Sequence, residues 1–166
     1  MQVNFLEELV AEWYEYNGYI IRRNDKVGRL PRGGHEGELD VIAFHPQTNH
    51  LVHIETSTDA HSWSKREERF TKKFRIGTRY IRDLFSGLNL PDNIEKIVVL
   101  IVGSRNTHTE IGSGQVIFVE HFIANIINRL KTISYMSNIV PEKYPILRTL
   151  QIVGNHRELF IRTLNE

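Results

Sequence analysis

The sequence predicts an α/β fold, a mixed sheet covered by helices on both faces, and three observations carry that expectation. An amphipathic stripe opens the chain, two β-rich runs flank a turn signal at 46–49, and the apolar run Ile97-Val98-Val99-Leu100-Ile101-Val102 follows a long segment with helical spacing. With 166 residues, 40% of them hydrophobic and 25% charged, the chain suits one domain, 1–166, large enough to bury a core.

From Asn4, an N-cap residue type, residues 5–16 place Leu6, Leu9, Val10 and Trp13 on one stripe ending near Asn17-Gly18. Glu7 falls at the edge of that stripe, whereas Glu8, Glu12 and Glu15 are expected to face water. Tyr19-Ile20-Ile21 reads as a short strand, followed by a basic, glycine-containing loop over 22–37. Residues 39–45 and 50–56 read as an antiparallel hairpin turning at Pro46-Gln47-Thr48-Asn49.

A long helix is expected from Ser62 or Ser64 to about Ser86-Gly87, with Trp63, Phe70, Phe74, Ile81 and Leu84 inward. Arg66, Arg69, Lys73 and Tyr80 line one flank of its stripe, while Lys65, Lys72, Arg75 and Arg79 face away. Residues 95–102 read as a strand buried on both faces. A Gly/Ser-rich connector over 103–114, in which Gly112-Ser113-Gly114 is a turn, leads to a strand at 115–119 and a helix over 120–131. Pro145 is suited to open a short helix through Ile152, and the segment from His156 is compatible with strand or helix.

Composition excludes several chemistries. The chain has no cysteine, so disulfides, thiolate metal sites and cysteine nucleophiles are absent. No apolar run approaches the roughly 20 residues of a membrane span, and no leader pattern precedes Glu7 and Glu8, so a cytoplasmic protein is the default expectation. The net charge of +1 is unevenly spread: residues 1–21 hold four acids and no bases, and 22–82 hold thirteen Lys/Arg against eight Asp/Glu. That surplus suits a polyanion-binding face, although a solvated helix would look the same.

The hairpin carries the strongest chemical signal. A four-residue turn sets His45 opposite His50 and, counting back, Asp40 opposite Glu55 and Glu38 opposite Ser57, all on one face. Three carboxylates so placed repel one another unless a cation neutralises them, and an all-oxygen set suits Mg²⁺ or Mn²⁺. Asp40, Glu55 and Glu38 are therefore the expected ligands, with solvated surface acids the plainer alternative. His45, His50 and His53 lack the convergence of a zinc site. A Ser57, Asp59, His61 hydrolase has no nucleophile elbow.

Residues 5–103 resemble the PD-(D/E)xK nucleases, in particular the restriction-endonuclease-like and Holliday-junction-resolvase branches. The resemblance rests on a helix bearing Glu7, on Ile20-Ile21-Arg22-Arg23, on Gly37-Glu38-Leu39-Asp40-Val41-Ile42-Ala43 and on Ile54-Glu55-Thr56-Ser57. It implies a restriction-endonuclease-like three-layer α/β/α fold, metal-binding roles for Asp40 and Glu55, a supporting role for Glu7, and a homodimer. Leu39 stands where the signature has proline and Ser57 where it has lysine. A hydroxyl cannot replace a cation at phosphate, and some members of the superfamily supply that cation from the following helix. Flank geometry makes Lys73 the candidate, with Arg66 and Arg69 behind it.

The expected function is Mg²⁺- or Mn²⁺-dependent endonuclease activity on duplex or branched DNA, with Glu7, Asp40, Glu55 and Lys73 as the catalytic set. Arg22, Arg23, Lys26, Arg29, Arg32, Arg66, Arg69 and Lys72 are the candidate DNA contacts. The alternatives are a catalytically inactive DNA-binding module of the same fold, or a subunit of a DNA-processing or mobile-element system.

Overall fold

Asn4 caps the first helix as its residue type predicts: its side chain accepts the Leu6 N–H, and α1 runs over Phe5–Tyr16. The computed structural model describes residues 4–103 and 108–166. After α1 come β1 (Ile20–Arg29), β2 (His35–His45), β3 (His50–Ser57), α2 (Trp63–Leu84), β4 (Glu95–Leu100), β5 (Glu110–Ile111) and β6 (Gly114–Phe118). These belong to one compact unit, 1–119. The second unit, 120–166, holds nearly all of α3 (Val119–Leu130), together with α4 (Pro145–Asn155) and α5 (Arg157–Leu164).

The strands form one six-stranded mixed sheet in the order β1-β2-β3-β4-β6-β5, so the chain is an α/β protein with five helices among the described residues. The hairpin has the register that the four-residue turn predicts, Val41 opposite Ile54 and His45 opposite His50. Asn49 closes the turn at a φ of 49°, a left-handed conformation asparagine tolerates. β3 and β4 are parallel, Glu55 beside Val98, with α2 as the crossover between them. One core cluster gathers Ile42, Phe44 and Leu51 of the hairpin with Ile76 and Ile81 of α2, and another joins Phe70 and Phe74 to Val98, Leu100 and Phe118.

The structure corrects the sequence reading at several places. Residues 22–37 are not a loop: β1 continues to Arg29, β2 begins at His35, and only 30–34 turn, through Gly33 and Gly34 at φ 90° and 83°. β1 is an edge strand, paired to β2 alone, so its charged residues stand in water and show no alternation; Val27 is its one buried residue. β4 stops at Leu100, leaving Ile101 and Val102 exposed. The 103–114 connector contains β5, too short to carry a periodic signal, and its residues 104–107 lie outside the described residues. α4 runs on to Asn155, and the segment after His156 is helix. On α1, Glu12 is buried rather than facing water, and Glu8 and Glu15 meet Arg23 of β1. No helix among the described residues is long and apolar enough to cross a membrane.

Candidate active site

Past Val41 the β2 and β3 strands part, and in the space this opens three side chains meet. Lys73 Nζ, from the middle of α2, donates to Asp40 Oδ1 at 2.5 Å and also to Glu55 Oε2. The second oxygen of each carboxylate is already held. Asp40 Oδ2 accepts the Thr56 N–H at 2.9 Å, and Glu55 Oε1 takes the His53 ring Nε2 at 2.6 Å. Each acid therefore turns one oxygen toward the same point.

Burial makes these charges interdependent. Asp40 is raised to about 6, first by burial and then by Glu55, with Lys73 and Thr56 pulling the other way. Burial likewise raises Glu55, which is wholly enclosed, against the attraction of Lys73. For Lys73 burial acts downward, yet Glu55 and Asp40 outweigh it and the ammonium ends above its ordinary value. Glu7 lies within the same field: burial and then Asp40 raise it, while the Asn4 and Asn24 side chains lower it.

His53 was passed over in the sequence because its neighbours His45 and His50 drew attention to a zinc reading that the geometry does not make. Its ring is fully buried, and burial pushes it down to about 3, so it is neutral and its Nε2–H donates to Glu55. The Nδ1 atom has no hydrogen-bond partner among the described residues. The ring fits because residue 77 is glycine: a Cβ there would lie deep inside contact distance of His53 Cε1 and Nδ1. The signal that could have found His53 is its parity with Glu55 on one strand face.

Ser57 is wired into a separate cluster. Its hydroxyl donates to Asp59 Oδ2 at 2.7 Å and accepts from Arg69 Nη2 at 2.9 Å. Burial acts upward on Asp59, but the Ser57 and Arg69 hydrogen bonds outweigh it and hold the carboxyl well below its usual range. Arg66 is buried and donates to the carbonyls of Val102 and Asp59. Arg66 thus fixes the α2 entry to the sheet instead of contacting DNA, and Arg69 is committed to Asp59 and Ser57.

The remaining expected residues divide. Glu38 is exposed and pairs in register with Lys26 of β1, because β2 has already left β3; it does not join Asp40 and Glu55. Arg23 is engaged by Glu8 and Glu15, and Arg22 by Asp25. Lys26, Arg29, Arg32 and Lys72 are exposed. Lys72 lines a shallow cleft of about 230 Å³ with Glu36, Arg75, Ile76 and Arg79 on the outer side of α2.

No group of three or more His, Cys, Asp or Glu side chains converges to hold a metal ion among the described residues. The donor set that does converge is two hard carboxylate oxygens, both within hydrogen-bond reach of one nitrogen and so no more than about 5 Å apart. This excludes an all-protein cage and fits Mg²⁺ or Mn²⁺, which take one or two carboxylates and complete their shell with water and phosphate. The His53 hydrogen bond to Glu55 is the outer support that such a ligand requires. Compared with protein-family models the chain has no match, and compared with curated proteins it has none either.

Proposed function

We propose that this chain is a divalent-metal-dependent endonuclease that hydrolyses DNA phosphodiester bonds on a restriction-endonuclease-like α/β/α fold. The observation that carries the reading is the Lys73 ammonium, delivered by the helix after the hairpin to the two acids that the strand register brings together. Asp40 and Glu55 would hold Mg²⁺ or Mn²⁺, which supplies Lewis-acid stabilisation of charge developing on phosphate. Lys73 offers a positive charge at the same place and does what a serine at position 57 cannot. Glu7, kept partly protonated by burial and by Asp40, is placed to exchange a proton with water at the site. Lys72 and Arg75, exposed beside the site on α2, are suited to the phosphate backbone.

The test is cleavage of duplex and branched DNA by the wild-type chain with Mg²⁺ or Mn²⁺, alongside Lys73→Ala and Lys72→Ala. Lys73→Ala should abolish cleavage, at least about a hundredfold, while Lys72→Ala weakens DNA binding and leaves turnover at saturation intact. A wild-type chain that binds DNA but cuts none of these substrates with either metal would replace the enzyme by a DNA-binding module.

A further inference from the structure

The second unit ends in a helix with nothing to hold it. α5 has eight residues, and none of them is buried among the described residues. Leu159, Phe160, Ile161 and Leu164 are all exposed, Leu164 at 84% of its surface. A helix this short is marginal in water unless an apolar face is covered, so its sequence presupposes a partner surface.

At 100° per residue Phe160, Ile161 and Leu164 occupy a stripe about 100° wide, the width of a packing face. Glu158, in the first turn, and Arg162, in the last, both lie on one flank of that stripe. The face is thus self-complementary in one orientation. When two copies of α5 lie antiparallel about a two-fold axis near Phe160 and Ile161, each Glu158 comes level with the Arg162 of the other copy, to within about 2 Å along the axis. A parallel pair would set Glu158 against Glu158 and Arg162 against Arg162. Antiparallel packing also brings the N-terminal end of each helix dipole to the C-terminal end of the other, and lets Leu164 cover the aliphatic stem of the other copy's Arg157.

We infer that α5 is an isologous dimerisation helix whose partner is a second copy of this chain, packed antiparallel through Phe160, Ile161 and Leu164 with reciprocal Glu158 to Arg162 ion pairs. The area is small, so the dimer is concentration-dependent rather than permanent. This reading is independent of the nuclease proposal.

Sedimentation equilibrium of the full chain from low micromolar to submillimolar concentration tests it. The wild type should dimerise, Leu164→Glu should weaken the dimer by at least about tenfold, and Glu158→Arg should weaken it through like-charge contact. The double reversal Glu158→Arg with Arg162→Glu should restore it, which a foreign partner surface or a parallel pair would not produce. All four positions are exposed, so far-UV circular dichroism should find every variant folded. A wild type that stays monomeric throughout overturns the inference. So does a dimer indifferent to Leu164→Glu, or a double reversal no better than Glu158→Arg alone.

Discussion

Asp40→Asn should make the protein more stable at neutral pH while removing the carboxylate that the proposed chemistry needs. In the folded chain Asp40 sits at about 6 against an ordinary 3.8, the net of burial and Glu55 against Lys73 and Thr56. That difference corresponds to about 3 kcal/mol at neutral pH. Because the folded value is the raised one, the carboxyl's contribution to stability is fully present below about pH 4 and is lost as pH rises through about 6. Asparagine remains neutral and keeps an oxygen for the Thr56 N–H. Its amide nitrogen then faces the Lys73 ammonium, a lost hydrogen bond costing about 1 kcal/mol. The expected result is a gain of about 2 kcal/mol at pH 8 that turns into a loss of about 1 kcal/mol near pH 4. Urea unfolding followed by tryptophan fluorescence at pH 4.5, 6 and 8 reads this directly, and Mn²⁺ should raise the wild-type midpoint but not that of the variant. A variant less stable than wild type at pH 8, or a difference that does not change with pH, refutes the electrostatic account of the site.

Two further expectations concern the ground around that site. Gly77→Ala gains about 1 kcal/mol of helix propensity but drives a methyl group into the His53 ring, which full burial and the Glu55 bond prevent from moving; it should destabilise by about 2 kcal/mol net. In a His53→Ala background the same substitution should become neutral or stabilising, so equal effects in both backgrounds would show that the contact is unimportant. DNA binding should weaken steeply between low and moderate salt, and Lys72→Ala should lower the slope of log affinity against log salt by about 1; affinity indifferent to salt counts against a phosphate-backbone interface on α2.

What the sequence revealed and concealed follows from where each residue sits relative to water. The hairpin register was readable because a four-residue turn and interior strands fix both spacing and parity, and Val41 opposite Ile54 follows from them. β1 was not readable: an edge strand needs no apolar alternation, so Arg22, Arg23 and Lys26 look like a loop. The same local view overextended the acidic face. Parity alone carries Glu38 along with Asp40, but the β2–β3 ladder ends at Val41, and Glu38 meets Lys26 across the other edge of β2. Glu12 escaped because a helical projection ranks residues by angle within one helix and takes no account of what packs beside it.

The flank of α2 that the projection picked out also shows why its cations have different fates. The chain reverses between β3 and α2, so later helix residues meet earlier strand residues. Arg66 reaches Asp59, Arg69 reaches Ser57, Lys73 reaches Glu55, and Gly77 lies over His53. The spacings match because two strand residues advance about 6.6 Å while three or four helix residues advance about 4.5 to 6 Å. A side chain every helical turn therefore finds the next same-face residue of β3. The cation that meets Glu55 is set by this stepping: one turn earlier the guanidinium falls on Ser57 and Asp59, and one turn later there is room only for a glycine. Position 73 is thus the place from which α2 can put a charge between Asp40 and Glu55, and with Ser57 already tied to Asp59 and Arg69, a cation on the strand at 57 would face the Arg69 guanidinium instead of a substrate.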